Sequence, residues 1–172
     1  MRFVILLLLL ATSSARAEQA ILTPSGSQVE FRAYGLGLIP FDGKFTRFQG
    51  VMRYDPAAPG MCHVLLEIQS ASLAMSDMSV REQIVGTEFM DVARFPDMAF
   101  DGSCQGDTLA GSLRLHGESH PFTLEISREG GRLTAVGRLR RAAWGITARP
   151  FTVGSTIRIR VEFPALTNGR PA

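Results

Sequence analysis

Apolar and polar residues alternate with a period of two over most of this chain, most clearly from Leu109 to Ile126. Leu109, Gly111, Leu113 and Leu115 alternate with Ala110, Ser112, Arg114 and His116, and later Phe122, Leu124 and Ile126 alternate with Thr123 and Glu125. Such alternation marks strands with one buried and one wet face. Between the two runs, Gly117-Glu118-Ser119-His120-Pro121 reads as a turn, so the stretch is expected to form a β-hairpin. A lone hairpin is marginal in water, so other strands must continue its apolar face.

The rest of the chain supplies them. Ser27–Ala33 turns Val29, Phe31 and Ala33 to one side. The apolar, glycine-rich Tyr34–Phe41 reads either as a buried strand or as a greasy lip over a cavity. Asp42-Gly43 is expected to make a tight turn. In the long strand Lys44–Tyr54, Phe45 and Phe48 are three apart, so a bulge or bend near Thr46-Arg47 is needed to bury both. Asp55–Gly60 reads as a loop, and His63–Ser70 points Val64, Leu66 and Ile68 inward.

Leu73–Pro96 breaks the alternation. Ser79 and Glu82 fit a capping box with Ser79 as N-cap, Val80 and Ile84 fall on one helical face, and Gly86 can end the helix. Strands resume at Asp97–Ser103, with Met98 and Phe100 inward, and at Arg132–Arg140 after a Gly130-Gly131 turn. Ala142–Gly154 is irregular and carries Trp144 and Phe151. Thr156–Phe163 has the cleanest alternation of all, and Thr167–Ala172 is expected to fray. The sum is an all-β domain: about eight mostly antiparallel strands, closing into a barrel able to hold one small ligand, with one short helical insertion.

Residues 1–17 do not share the pattern. Arg2, the apolar run Phe3–Leu10 and the small-x-small site Ala15-Arg16-Ala17 read as a secretory signal peptide, leaving 18–172 as one exported domain. The apolar run is too short for a membrane span. Removing Arg2 and Arg16 brings the 18 basic residues level with the 16 acidic ones. With no basic run and no basic-aromatic interleaving, nucleic acid is not expected as a partner.

Export gives the two cysteines a meaning. Cys62 opens one strand and Cys104 closes another; if these pair antiparallel, the thiols lie side by side and a disulfide is expected. His116, Glu118 and His120 would share a face of a regular strand and gather a metal, but the glycine and proline beside them favour a polar hairpin tip, and no metal is expected. No nucleophile elbow, phosphate-cradling loop or free Cys-His pair is present, so neither catalysis nor a cofactor is expected.

Four segments, in order, resemble motifs of the YceI-like family of bacterial lipid-binding proteins. Asp42–Gly50 (DGKFTRFQG) looks like R-G-x-F-x-x-F-x-G, and Phe89–Phe100 (FMDVARFPDMAF) like F-F-D-V-x-x-Y/F-P-x-x-x-F. Gly111–Gly117 (GSLRLHG) looks like G-x-L-T-L-H-G, and Arg141–Ile146 (RAAWGI) like N/D-R-x-x-F-G-I. Gln83 stands where the family often has His, and Tyr34-Gly35 where it has His-Leu.

The resemblance implies a lipocalin-like barrel, periplasmic or secreted, holding a long isoprenoid or fatty amphiphile. Phe31, Phe45, Phe48, Met52, Leu66, Ile68, Phe100, Leu113, Leu115, Trp144 and Ile157 would line its cavity, with the Tyr34–Phe41 lip and the Met75–Asp91 insertion gating access. On alternation alone the same residues fill a solid core. That makes the rival a non-enzymatic module binding another exported protein through its loops. A third reading is a metal-assisted enzyme at His116 and His120. A homodimer is compatible with the carrier reading.

Overall fold

The computed structural model describes residues 18–55, 58–129, 132–164, 166–167 and 170–171, so the predicted leader and the Gly130-Gly131 turn lie outside the described residues. In chain order the strands are β1 (Glu18–Leu22), β2 (Gln28–Gly35), β3 (Ile39–Phe45), β4 (Phe48–Asp55), β5 (Ala58–Gln69) and β6 (Leu73–Ala74). Helix α1 (Met78–Val85) follows. Then come β7 (Asp97–Gln105), β8 (Thr108–Leu115), β9 (Glu118–Glu129), β10 (Arg132–Arg140) and β11 (Thr156–Pro164).

These form one antiparallel sheet of eleven strands, ordered β1-β4-β5-β7-β8-β9-β10-β11-β2-β3-β6. The eleven are eight long strands, three of them bent. β1 runs into β2, β3 into β4, and β5 through a 3-10 turn (Ser70–Ser72) into β6. The bent β3–β4 strand pairs with β2 and β6 through its first half and with β1 and β5 through its second. Through it the sheet curls round on itself, giving the barrel class that the alternation predicts. The bend falls at Thr46-Arg47, where the Thr46 N–H donates to the Ser72 carbonyl and the Gln69 N–H to the Arg47 carbonyl. It brings Phe45 and Phe48 both inward, 8% and 7% exposed, as their spacing requires.

The Cys62–Cys104 disulfide is formed, with a Cα–Cα distance of 4.7 Å. It lies one rung beyond His63–Ser103 in the β5–β7 ladder.

Several local expectations are corrected. Asp42-Gly43 is not a turn; both residues lie inside β3, opposite Arg32 and Phe31. A Cβ on Gly43 would come within 2.4 Å of the Phe31 ring, so glycine is there to let that ring lie across the strand. The reversal is at Leu36-Gly37-Leu38, where Leu36 and Gly37 have φ of 48° and 76°.

The β8–β9 turn is only His116-Gly117, with φ of 53° and 79°. Two positive φ values make the primed turn that suits a twisted hairpin. Pro121 therefore sits within β9, opposite Ser112, at a point beyond the β9–β10 ladder where its missing N–H costs nothing. The cap of α1 is Asp77, which accepts from the Val80 N–H at 3.1 Å, and not Ser79. β5 begins at Ala58, inside the expected loop, and Leu166–Thr167 pairs with Arg170–Pro171 where fraying was expected.

Candidate binding cavity

The barrel core is not solid. At one end lies a cavity of about 300 Å³, and deeper in the barrel a smaller one of about 80 Å³. Phe45, Met98, Leu115, Leu139 and Ile159 belong to the walls of both, forming a waist between them. The larger volume is at the lower end of the range for small-molecule sites.

Three segments build the mouth. Helix α1 turns Val80, Gln83 and Ile84 toward it, followed by the buried Phe89 and Met90. The β2–β3 reversal supplies Gly35, Leu36, Ile39 and Phe41. The segment after β10 supplies Arg141, Ile146, Arg149, Thr152 and Val153. Around this opening Leu36, Leu38, Ile39 and Phe151 are 66%, 86%, 51% and 95% exposed. Of the two readings of Tyr34–Phe41, the apolar lip is the better description, although its two ends are paired as strands.

Of the residues expected on the wall, Phe31, Phe45, Leu115 and Ile157 line the larger cavity. Leu66, Ile68, Phe100 and Leu113 line the smaller one. Phe48, Met52 and Trp144 are buried but line neither. Phe48 and Met52 sit on β4, past the bend that leads away from the mouth. Trp144 packs in the core beside the smaller cavity: its Nε1–H donates to the Leu113 carbonyl at 3.1 Å, and its ring meets His120 and Phe122 edge-on.

Among the described residues, the polar side chains on the larger cavity are Gln83, Arg141, Arg149 and Thr152, and no carboxylate lines it. Arg141 is 3% exposed. Its Nε, Nη1 and Nη2 donate to the carbonyls of Gly154, Ile146 and Val153 at 2.9, 2.9 and 3.0 Å, and its guanidinium lies 6.0 Å from the Phe89 ring centre. Loss of water pulls its pKa below the ordinary guanidinium value. Arg149 has a left-handed backbone, φ 49°, which aims its side chain at α1 and the turn beyond. It pairs with Glu88 at 2.9 Å and donates to the Gln83 side-chain carbonyl at 2.7 Å.

His116 does not join a metal set. Its ring packs on Phe95 at 4.5 Å and its Nδ1 lies 3.0 Å from the Trp144 carbonyl. Among the described residues no group of three His, Cys, Asp or Glu is placed to hold a metal ion. No helix among them is long and apolar enough to cross a membrane.

Strand alternation finds the barrel wall but not the mouth. Val80, Ile84, Phe89 and Met90 are legible as the apolar side of the insertion. Arg141 and Arg149 carry no periodic signal; the hint is a pair of cations in an irregular stretch that also holds Trp144 and Phe151.

The sequence profile of the YceI-like domain matches residues 21–165. A UPF0312 protein of Yersinia enterocolitica is 28% identical over 149 residues, covering 84% of this chain and 73% of that protein. Among solved structures, BcnA of Burkholderia cenocepacia superposes with a TM-score of 0.68 at 21% identity, over 81% of this chain and 96% of its own. A polyisoprenoid-binding domain from Saccharophagus degradans superposes with a TM-score of 0.57 at 12% identity, over 88% and 100%. At these identities the structural likeness establishes the fold.

Proposed function

This chain belongs to the YceI-like family, and from that premise we propose that it is a non-enzymatic, exported binding protein that holds a polyisoprenoid or other long-chain amphiphile inside its barrel. The observation that carries this reading is the apolar cavity opening at an exposed apolar lip and continued toward the barrel's middle by a second void. Each buried CH₂ contributes about 0.8 kcal/mol, so a tail can be held through burial alone. The ligand bound by the Saccharophagus degradans domain points the same way. Periplasmic or secreted location is supported by the leader pattern of residues 1–17 and by the disulfide, a bond of oxidising compartments. The open cavity weighs against the filled-core interaction module.

The test is to purify residues 18–172 from a bacterial periplasm without detergent, extract with organic solvent and run mass spectrometry. One lipid species near one per chain is the expected result. An empty protein that also fails to take up any long-chain probe in solution would overturn the reading.

A further inference from the structure

The two loops that form the lip are one platform. The Leu36 N–H donates to the Thr152 carbonyl at 2.8 Å, the Gly154 N–H donates to the Tyr34 carbonyl at 2.7 Å, and Gly35 bridges to Val153. The tips held in this way, Leu38 and Phe151, are 86% and 95% exposed and line neither cavity. A ligand inside the barrel therefore gives them no partner. Exposed apolar groups gathered at one place mark an interaction surface.

The outer wall beside this platform is basic. β10 and β2 end at the mouth, and the outward row nearest to it sets Arg140 opposite Thr156 and Tyr34 opposite Pro40. One outward row further back, about 7 Å along the strands, Arg138 lies opposite Arg158, Arg158 opposite Arg32 and Arg32 opposite Asp42. Three exposed arginines thus stand abreast on adjacent strands. Asp42 is the one carboxylate on these two rows of β10, β11, β2 and β3, and it is held by Arg32. Among the described residues Arg138, Arg140 and Arg158 form no ion pair. Like charges directly opposite one another destabilise a sheet, so the fold itself does not account for the row.

We propose that the mouth docks on an anionic phospholipid bilayer. Leu38 and Phe151 enter the apolar boundary, and Arg138, Arg140 and Arg158 reach the phosphates of the surface. Apolar burial and attraction to anionic lipid add in this way at membrane surfaces. Tyr34 lies between the two zones, where an aromatic ring with a polar tip suits the boundary. A second copy set lip to lip would cover the tips but seal the mouth, and it would bring arginines where anions are needed. With the mouth on the bilayer, a long-chain amphiphile passes between membrane and cavity without crossing water. That passage rests on the carrier reading; the docking itself does not.

Sedimentation of residues 18–172 with vesicles tests this. Vesicles of phosphatidylcholine alone are compared with vesicles of equal parts phosphatidylcholine and phosphatidylglycerol. The protein is expected to bind the anionic vesicles about tenfold or more tighter, and high salt should shrink the preference. Each arginine near an anionic surface corresponds to about fivefold in binding, so Arg138→Gln/Arg140→Gln/Arg158→Gln is expected to remove most of the preference. Leu38→Ser/Phe151→Ser is expected to lose both vesicles, while its uptake of a long-chain dye without vesicles stays within about twofold of wild type. All these positions are exposed, and circular dichroism checks the fold; should a variant fail, the wild-type comparison of the two vesicles still decides. Equal binding to both vesicles, binding to neither, or a lip variant that binds like wild type overturns the docking and leaves the carrier reading standing. A dimer in analytical ultracentrifugation that Leu38→Ser/Phe151→Ser dissolves, with no vesicle binding, assigns the lip to a second copy and also overturns it. Binding to anionic vesicles with no uptake of any long-chain probe sustains the docking and overturns the carrier reading.

Discussion

The indole Nε1–H of Trp144 donates to the main-chain carbonyl of Leu113 at 3.1 Å, so the segment after β10 is pinned to β8. Leu113 lines the smaller cavity, and Phe122, packed edge-on against Trp144 at 6.4 Å, lines it too. Trp144 thus supports a wall it does not itself form.

Replacing Trp144 separates support from binding. Trp144→Phe keeps an aromatic ring but removes the donor, and with it one hydrogen bond to the Leu113 carbonyl, a loss of about 0.5–1.5 kcal/mol. Trp144→Ala also opens a void, at about 3–5 kcal/mol. Urea unfolding should rank the two in that order, while dodecanoate affinity of the folded Trp144→Phe protein stays within about threefold of wild type. A large affinity loss without destabilisation would place the indole on the ligand after all.

Filling the mouth should have the opposite signature. Ala33 is 7% exposed and lines the larger cavity. In Ala33→Leu the added methyl groups enter empty space, so the melting temperature is expected to hold or rise. Affinity for a dodecyl-tailed probe is expected to fall. A drop in stability would show that the position is already tightly packed.

The barrel was legible because strand alternation is a direct record of which face is buried: Val29, Phe31, Phe45, Leu66, Phe100 and Leu124 all point inward where the pattern puts them. The need for a bend between Phe45 and Phe48 was legible for the same reason. Glycine was harder to interpret. Gly43 signals a turn only if glycine is taken for backbone freedom; in the fold it is an absent side chain under the Phe31 ring. Asp77 and Ser79 are both good caps, and only the geometry of the first turn chooses between them. The division of the apolar residues between cavity and filler was not legible at all, because Phe45 and Phe48 each face inward by the alternation of their own half of the strand, on opposite sides of a bend. Arg141 is held by main-chain carbonyls from residues 146 to 154, which no side-chain pattern encodes.

The disulfide should carry much of the domain's stability. Cys62 and Cys104 are 42 residues apart, and closing a loop of that length corresponds to about 4 kcal/mol on the chain-entropy model. Because β5 and β7 already pair antiparallel on either side of it, reduction leaves the ladder intact and acts mainly on the unfolded chain. Cys62→Ala/Cys104→Ala is expected to keep its circular dichroism spectrum but unfold at lower denaturant. An unchanged midpoint would show that the bridge contributes nothing beyond the strand pairing.

Gly111 is predicted to tolerate no side chain. It faces Gly102 across the β7–β8 ladder, and a Cβ there would lie 2.1 Å from the Asp101 carbonyl oxygen and 2.4 Å from the Gly102 Cα. Both contacts are with backbone, so relief requires the strands to separate. Gly111→Ala is expected to destabilise by about 1–3 kcal/mol, as overpacking does, measured by urea unfolding. Gly26→Ala, where nothing lies within 4 Å of the added carbon, is the control and is expected to be near neutral.

The last prediction concerns pH. On the outer face of the β2–β3 pair, Arg32 donates to both carboxylate oxygens of Asp42, at 2.6 and 2.9 Å. The bond holds the Asp42 carboxyl below its ordinary value and raises the Arg32 guanidinium. A carboxyl whose pKa is lower in the folded chain than in the unfolded one favours folding wherever it is ionised. Its contribution is complete above the unfolded value of about 3.9 and disappears as pH falls through the lower folded value. Both side chains are about half exposed, so water and salt weaken the pair. In Arg32→Gln, NMR titration should show the Asp42 pKa moving up toward the ordinary carboxylate range. The difference in stability from wild type should be constant near neutrality and vanish in acid. High salt should shrink both effects. An Asp42 pKa that does not move would assign the depression to the β3 backbone and not to the guanidinium.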